Sequence, residues 1–416
     1  QLLTYSLRLS KEGSGSIVPR LGHVKGEYPI SGTSFELPEN GSIIQLISQD
    51  PPGILYEFSP TISHESSSHG LNMQIKDLGE FGVIDLLTRM VIDRRTGPGN
   101  SQSFSFSLTV DNGDDTAAWS PGPSGTGRVN ELFTTDTMVE GVHFTRETTP
   151  WLDLGWKSLA SNISDVASMG GLPTYALVTL GLPSETEVSD LESLYEGMLQ
   201  ISNEYGLAIV GGDMVRSPVV FITVALTGVM RGQPMVRTGA RPGDLVAVTG
   251  HLGSSGGGLK LMLERTSEAG EAADFLRESH RRPRPAVAVG QSLVESGITT
   301  AMDVSDGMAD DLSKLCRASG VSGKIFTDRL PVHPFLRDWF PEGCVDLALG
   351  GGEDYVLLFT GPPAKVNHVV ASLSGGAAVV GEISVGTPGQ ITVVDALGNE
   401  VPASNRGWDH FGPAQD

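Results

Sequence analysis

The chain has 416 residues, of which 39% are hydrophobic, 6% are aromatic and 53 are glycine. This composition is typical of a globular α/β protein with many tight loops, and it excludes fibrous and disordered classes. The formal net charge of -21 argues against nucleic acid or an anionic membrane surface as a partner. An anionic ligand such as a nucleotide would therefore need a divalent cation beside it.

Residues 1–72 differ from the rest of the chain, because Pro, Gly and Ser clusters interrupt short alternating segments. We expect an extension with at most weak β structure, either a leader or added sequence, and no secretory signal peptide. A helical pattern over residues 77–91 begins just after Met73, which is a candidate natural start. Cys316 and Cys344 have no metal-ligand spacing, so we expect two buried thiols in a reducing cytoplasm.

Strand and helix patterns alternate from about residue 105 to 232. The predicted strands are 105–110, 131–136, 174–182, 207–213 and 219–230, and the predicted helices are 151–169 and 188–205. The apolar run 219–230 is too short to span a bilayer and indicates a buried strand. A polar stretch over 231–244 holds the predicted boundary between a first domain, 73–235, and a second domain, 236–411, before a tail at 412–416.

Acidic and hydroxyl residues recur where these elements end. In ELFTTD, strand alternation places Thr134 and Asp136 on one face and Thr135 on the other. In AMDVSDG, Asp303 and Ser305 share a face, and Asp306 opens the following loop. Such oxygen-only groups at strand ends suit Mg²⁺, which prefers octahedral oxygen ligands.

Further acidic groups follow the same logic. Asp114 and Asp115 lie on a turn, Gly211 and Gly212 precede Asp213, and three glycines precede Glu353 and Asp354, as happens where backbone approaches a phosphate. Ser158, Asn162 and Asp165 form a polar stripe on one helix, which by itself is also typical of a solvent-facing side. Each signal is weak alone, but together they favour metal-bridged phosphate chemistry over scattered turn residues.

Other motifs are less specific. The segment GHLGSSGGGLKLM (250–262) lacks the P-loop pattern, so a turn that caps a helix and a phosphate contact at that helix both stay open. His143 has no partner at catalytic spacing, and its short distance in sequence from Asp136 leaves structural and substrate-binding roles open. Arg237 and Arg216 are the cations best placed to meet a phosphate.

Nine segments, in this order along residues 73–411, resemble the motif set of the thiamine-monophosphate kinase family. They are GEFGVIDLL, GDDTA, TTDTMVEGVHF, KSLASNISDVASMGGLP, GGDMVR, RTGARPGDLVAVTG, DVSDGMADDL, GGEDY and GWDHF. The combination is specific, although single members are not. The family belongs to the aminoimidazole-ribonucleotide-synthetase-like ATP-binding superfamily.

The resemblance implies a mixed α/β subunit of two domains, with an N-terminal domain that dimerises through β-strands and a C-terminal α/β domain. It implies phosphorylation of thiamine monophosphate by ATP, with several Mg²⁺ ions, in a cytoplasmic homodimer. The implied metal ligands are Asp115, Thr135, Asp136, Asp165, Asp213, Asp303 and Asp306. The implied nucleotide contacts are Thr134, Tyr195, Gly212, Arg237 and Ser305, and the implied substrate contacts are His143, Glu353 and Trp408.

The implied reaction joins two phosphates, so the attacking oxygen is already charged near neutral pH and we predict no general base. Sister enzymes are the nearest alternatives. A selenophosphate synthetase would need a Cys in its N-terminal segment, and a hydrogenase-maturation dehydratase would need a Cys at its C-terminus. The cysteines of this chain are Cys316 and Cys344. An aminoimidazole ribonucleotide synthetase, which GGEDY and GWDHF disfavour, and a non-catalytic nucleotide-binding homologue stay open.

Overall fold

The computed structural model describes residues 7–12, 16–21, 82, 106–110, 113–121, 129–266, 269–373 and 375–403. The chain divides into two units, 1–72 and 73–416. In the first unit, β1 (Leu7–Glu12) and β2 (Ser16–Leu21) form an antiparallel hairpin. The helix predicted over 77–91 lies outside the described residues, apart from Gly82, which is helical.

The second unit begins with a six-stranded sheet of order β3-β4-β5-β8-β6-β7. Its strands are β3 (Phe106–Val110), β4 (Ala117–Pro121), β5 (Val129–Val139), β6 (Leu172–Leu182), β7 (Ala208–Arg216) and β8 (Phe221–Arg231). Neighbouring strands are antiparallel except β6 and β7, which are parallel. Along β8 every second side chain, including Ile222, Val224 and Leu226, is buried, so one face of this sheet packs on the core.

Two helices, α1 (Trp151–Ser168) and α2 (Val188–Tyr205), pack against each other beside this sheet. They cross at glycines: a Cβ at Gly155 would lie 1.9 Å from the Leu194 carbonyl oxygen, and one at Gly197 would lie 1.8 Å from that of Leu152. Only glycine permits backbones to approach so closely. The tight crossing helps to enclose α1, most of whose side chains are buried.

A seven-stranded sheet of order β10-β12-β9-β13-β11-β14-β15 forms the rest of the unit. Its strands are β9 (Leu245–Val248), β10 (Thr300–Asp303), β11 (Ser322–Phe326), β12 (Leu357–Gly361), β13 (Ala378–Ser384), β14 (Ile391–Val394) and β15 (Glu400–Pro402). The helices are α3 (Ser254–Leu263), α4 (Glu271–Arg281), α5 (Val287–Glu295), α6 (Met308–Ser319), α7 (Pro334–Trp339), α8 (Cys344–Gly350) and α9 (Pro363–Ser372). One pair, β11 and β14, is parallel, and the other neighbours are antiparallel.

Helix α1 lies at the junction of the two domains. It contacts α4, α5 and β10 of the second domain as well as the six-stranded sheet of the first. A Cβ at Gly290 of α5 would lie 2.1 Å from the Ala167 carbonyl oxygen, so α5 packs directly on α1. The mixed α/β architecture agrees with the sequence prediction, and the mostly antiparallel pairing gives it α+β character. Within the described ranges, every helix is too short or too polar to span a lipid bilayer.

Candidate active site

Three aspartates from distant parts of the chain meet beside α1. Asp115 lies in the turn before β4, Asp165 lies on α1, and Asp303 ends β10. Each offers one carboxylate oxygen, and the three oxygens lie within 4.8 Å of one another. We call Asp115, Asp165 and Asp303 the acidic cluster.

Hydroxyl groups fix the orientation of the acidic cluster. Each carboxylate accepts a 2.6 Å hydrogen bond from one hydroxyl, in the pairs Ser168 with Asp115, Ser164 with Asp303, and Thr134 with Asp165. Two of these hydroxyls belong to α1 and the third to β5, so the first domain aligns the carboxylate that the second domain supplies. Thr134, a predicted nucleotide contact, therefore lies at the cluster.

Burial and mutual repulsion raise the pKa values in the acidic cluster. The pKa of Asp165 lies well above its ordinary value because of burial and then the neighbouring carboxylates of Asp136 and Asp303. The pKa of Asp303 is raised in the same way, by burial and then by Asp115, although the Ser164 hydrogen bond opposes this. A divalent cation relieves such crowding, and the oxygen-only donor set fits Mg²⁺.

Arg237, a predicted nucleotide contact, lies against the acidic cluster. Its guanidinium bonds to Asp115 Oδ1 through Nη2 and through Nε, the latter at 2.9 Å, and its backbone N–H donates to Asp114 Oδ2 at 3.0 Å. Burial, and then repulsion from Asp115, raise the pKa of Asp114 to about 7. One arginine thus orients both carboxylates of the GDD motif.

Asp136 links the acidic cluster to the loop after β10. Its backbone N–H donates to Asn162 Oδ1 at 3.1 Å, which ties β5 to α1. Burial raises the pKa of Asp136; a hydrogen bond from Ser161 opposes this, and the charges of Asp306 and Asp115 add to it. The carboxylate of Asp136 therefore interacts with residues of both domains.

A second acidic group contains Asp306, Asp310 and Asp311, whose carboxylate oxygens lie within 4.8 Å of one another. Lys314 pairs with all three, at 2.9 Å to Asp311 Oδ1 and 3.2 Å to Asp310 Oδ2. Asp311 Oδ2 also accepts hydrogen bonds of 3.0–3.1 Å from the three backbone N–H groups of residues 305–307. Asp311 thereby shapes the loop that carries Ser305 and Asp306, while Lys314 partly neutralises the group.

The polar stripe on α1 is an interior feature. Ser158 is 2% exposed and Asn162 is not exposed at all, so the solvent-facing alternative is excluded. Asn162 Nδ2 donates to the Ser158 carbonyl oxygen at 3.1 Å, and its Oδ1 accepts from the backbone N–H of Asp136. The stripe therefore frames the acidic cluster.

Four predicted residues lie away from the acidic groups. The exposed Thr135 is on the opposite face of β5, where its hydroxyl donates to the Val224 carbonyl oxygen at 2.8 Å. Asp213 and Gly212 lie exposed on the edge strand β7, and Tyr195 packs from α2 onto the hydrophobic core of the first domain. The structure does not bring these residues into the acidic cluster, because strand alternation turns Thr135 away, β7 is at the edge of the sheet and Tyr195 packs on the core.

The predicted substrate contacts Glu353 and His143 lie within electrostatic reach of each other. Burial opposes ionisation of Glu353, but Lys157, His280 and then His143 hold its pKa below the ordinary value. The Glu353 backbone N–H donates to the Ser305 carbonyl oxygen at 2.7 Å, which joins the GGEDY loop to the loop after β10. Trp408, the third predicted contact, lies outside the described residues.

The N-terminus of α3 holds a carboxylate of this chain. The backbone N–H groups of Gly253 and Ser255 donate to Asp354 at 2.6 and 3.1 Å. This contact favours the capping-turn interpretation of segment 250–262 over a phosphate contact.

Sequence reasoning missed Lys157 and Asp311. Lys157 is fully buried and pairs with Glu353 Oε1 at 2.8 Å. One signal was available: Lys157 is the single charged residue between Asp153 and Asp165 on a helix that is otherwise apolar or small. The reach of Asp311 back to residues 305–307 had no comparable signal.

Comparisons with known proteins show the family of this chain. The chain matches the family models for "AIR synthase related protein, N-terminal domain" over residues 113–230 and "AIR synthase related protein, C-terminal domain" over 241–394. Thiamine-monophosphate kinase of Aquifex aeolicus (strain VF5) is 34% identical over 342 residues, which cover 82% of this chain and 100% of the relative. The same enzyme of Bacillus subtilis (strain 168) is 39% identical over 258 residues, which cover 61% of this chain and 78% of the relative.

A solved structure of a similar chain indicates the same family. The structure described as "AaThiL complexed with AMPPCP and TMP" is 32% identical, has a TM-score of 0.69, and is matched over 82% of this chain and 100% of its own. HypE of E. coli, a hydrogenase maturation protein, has a TM-score of 0.55 at 17% identity over 77% of this chain and 97% of its own, which shows a common fold alone. The resemblance seen in the motifs is thus confirmed, and this chain belongs to the thiamine-monophosphate kinase family, with the two-domain fold of the AIR synthase related proteins.

Proposed function

We propose that this protein transfers the γ-phosphoryl group of ATP directly to thiamine monophosphate, giving ADP and thiamine diphosphate in the last step of thiamine diphosphate biosynthesis. The observation that carries the proposal is the acidic cluster of Asp115, Asp165 and Asp303, assembled from both domains. The backbone of Glu353 hydrogen-bonds to Ser305, two residues beyond Asp303. Family membership supports it, as does the related structure in complex with AMPPCP and TMP.

The acidic cluster would hold Mg²⁺, with Asp136 and Asp306 as neighbouring ligands. When bound, Mg²⁺ would neutralise charge on the two phosphates that must approach each other. The hydroxyls of Ser164, Ser168 and Thr134 keep the carboxylates in place without reorganisation during the reaction. Several ions are consistent with the spread of carboxylates from Asp115 to Asp306, while Lys314 supplies a fixed positive charge beside Asp306.

No general base is assigned in this proposal. The attacking group is a phosphate oxygen, which already carries charge near neutral pH because the second pKa of a phosphate monoester is about 6. The chain's contribution is therefore to align donor and acceptor and to offset their repulsion.

A second copy of the chain is proposed as a partner. Apolar side chains stand exposed on the six-stranded sheet, among them Phe133 at 42%, Tyr175 at 58%, Leu177 at 49% and Val210 at 58%. The same four line a groove together with Ala225 and Thr227. An exposed apolar patch of this kind marks an association surface, and the implied homodimer through β-strands would cover it. The free, buried thiols of Cys316 and Cys344 support a reducing, cytoplasmic location.

An assay of ADP release tests the reaction. Thiamine monophosphate with ATP and Mg²⁺ should give ADP and thiamine diphosphate in equal amounts, and omission of Mg²⁺ should abolish turnover. Aminoimidazole precursors serve as control substrates. Turnover of these precursors in place of thiamine monophosphate would favour a synthetase, and nucleotide binding without turnover of any of them would favour a non-catalytic homologue.

A further inference from the structure

Lys157 is a fully buried lysine outside both acidic groups. Its Nζ lies 2.8 and 2.9 Å from the two oxygens of Glu353 and 3.0 Å from His280 Nε2. A buried ammonium is unfavourable unless it is paired and hydrogen-bonded, so these contacts hold it firmly. Because Lys157 is on α1 while Glu353 and His280 belong to the second domain, the cluster spans the domain junction.

The hydrogen-bond pattern determines the charge of this cluster. An ammonium can only donate, so His280 Nε2 accepts from Lys157 and the ring proton lies on Nδ1. The Nδ1–H group then donates to Ser255 Oγ at 3.1 Å, with Glu353 Oε2 at 3.4 Å. Burial, and then Lys157, lower the pKa of His280 to about 3, so the imidazole is neutral and the cluster holds one positive and one negative charge.

Among Lys157, His280 and Glu353, the side chain of Glu353 is the most exposed to solvent. Its side chain is 27% exposed, whereas Lys157 is not exposed at all and His280 is 2% exposed. Its backbone adopts a left-handed conformation with φ of 55°, and its N–H is bonded to Ser305. A non-glycine residue in this conformation is held there by its surroundings. The titratable groups around it are Lys157, His280 and His143, with Asp354 and Tyr355 in its own loop.

We propose that Lys157 is a positioning residue, which holds the Glu353 carboxylate anionic and oriented to receive the cationic thiazolium ring of thiamine monophosphate. The inference rests on the proposed function and deepens it. A carboxylate fixed at two oxygens by a buried partner keeps its orientation without cost when the substrate arrives. Without Lys157, Glu353 keeps only the 3.4 Å contact with His280 Nδ1, so its carboxylate is no longer held anionic and oriented toward the thiazolium ring, while the acidic cluster keeps its own contacts.

The test compares Lys157→Met, Glu353→Gln and the double variant with the wild-type protein. We measure KM for each substrate, kcat, and the Kd for thiamine monophosphate by titration calorimetry. Each single variant should raise both KM and Kd for thiamine monophosphate at least about tenfold, since a charge-assisted contact is lost. KM for ATP should change less than about twofold, and kcat should change less than the KM for thiamine monophosphate. The double variant should bind thiamine monophosphate as Glu353→Gln does, because Lys157 acts only through Glu353.

Arg284→Met is the matched control. Arg284 pairs with Glu204 at 2.7 Å across the same domain junction but does not contact Glu353, so its loss should leave all constants at wild-type values. If Lys157→Met does not fold, the double variant replaces it, because the double variant leaves neither Lys157 nor Glu353 as an unpaired charge. Its Kd for thiamine monophosphate is then compared with that of Glu353→Gln. Additive losses in the double variant, or equal rises in KM for both substrates, would overturn the inference in favour of a purely structural ion pair.

The wild-type data separate this inference from the proposed reaction. A wild-type protein that binds thiamine monophosphate without phosphorylating it contradicts the proposed reaction, and the Kd values of the variants still decide the role of Lys157. A wild-type protein that does not bind thiamine monophosphate overturns both.

Discussion

The hydroxyl of Ser164 donates a 2.6 Å hydrogen bond to the carboxylate of Asp303, although 139 positions separate them in the chain. Ser164 belongs to α1 of the first domain and Asp303 ends a strand of the second. Both residues are buried. In the protein interior a hydrogen bond is stronger than in water, and a buried polar group left without its partner costs stability. The acidic cluster therefore depends on the docking of the two domains.

The carboxylates of Asp136 and Asp306, beside the acidic cluster and in the second acidic group, should be essential for turnover. We expect Asp136→Asn and Asp306→Asn each to lower kcat by about 100-fold or more, since each removes a charge that in the proposed reaction would help to hold Mg²⁺ beside the phosphates. Circular dichroism should show an unchanged fold. Asp338→Asn, on an exposed residue of α7, is the control and should keep the wild-type rate. Wild-type rates in both active-site variants would refute the metal-binding role of this region.

The exposed apolar face should determine the oligomeric state. Leu177→Glu places a charge in the groove formed by Phe133, Tyr175 and Val210, so burial of this face against a second copy becomes unfavourable. We expect light scattering to give the mass of two chains for the wild-type protein and one chain for the variant. Val385→Glu, at a residue that is 86% exposed, should remain a dimer. A monomeric wild-type protein would contradict the proposed homodimer.

Acid should remove the contribution of His280 to the stability of the folded protein. In the unfolded chain this histidine binds a proton near its ordinary pKa of 6.5, but in the folded protein its pKa is about 3. At this residue the unfolded state therefore binds more protons between these values, and the contribution of His280 to the free energy of unfolding falls as the pH drops from about 6.5 towards 3, by up to about 1.4 kcal/mol per pH unit.

Urea unfolding at pH 7, 6 and 5 measures this effect. His280→Gln should show a shallower loss of unfolding free energy than the wild-type protein, because glutamine does not titrate. Equal slopes in the two proteins would show that His280 is not the group responsible.

Gly352 should be required for the contact between the two loops of the site. It has φ of +64°, and a Cβ there would lie 2.9 Å from the Ser305 carbonyl oxygen. Gly206, which ends α2, has φ of +72°, and a Cβ there would have no atom within 4 Å. Gly206→Ala therefore measures the cost of the left-handed backbone alone, about 1 kcal/mol. Gly352→Ala should cost more in thermal unfolding and should also lower activity, because Ser305 and Glu353 are displaced. If Gly352→Ala and Gly206→Ala lose the same stability and Gly352→Ala keeps full activity, the contact between residue 352 and the Ser305 carbonyl oxygen is unimportant.

Local structure followed closely from the sequence. Helix α1 was predicted over 151–169 and spans Trp151–Ser168, and β8 was predicted over 219–230 and spans Phe221–Arg231. Hydrophobic spacing encodes such elements directly, since the period of the pattern is the period of the backbone. The same spacing placed Thr134 and Asp136 on one face of β5 and Thr135 on the other, as observed.

The sequence by itself determined the kind of residues at the site and the family, because oxygen-rich strand ends and an ordered motif set are local properties of the chain. Only the tertiary structure decided which of these residues meet. Asp115, Asp165 and Asp303 join one cluster while Asp213 remains on an exposed edge strand, and the polar stripe of α1 faces the interior. Helical periodicity defines a face but not what covers it, and it could not show that Lys157 is buried against Glu353. That pairing arises from the packing of two domains, where burial makes an unpaired charge too costly to tolerate.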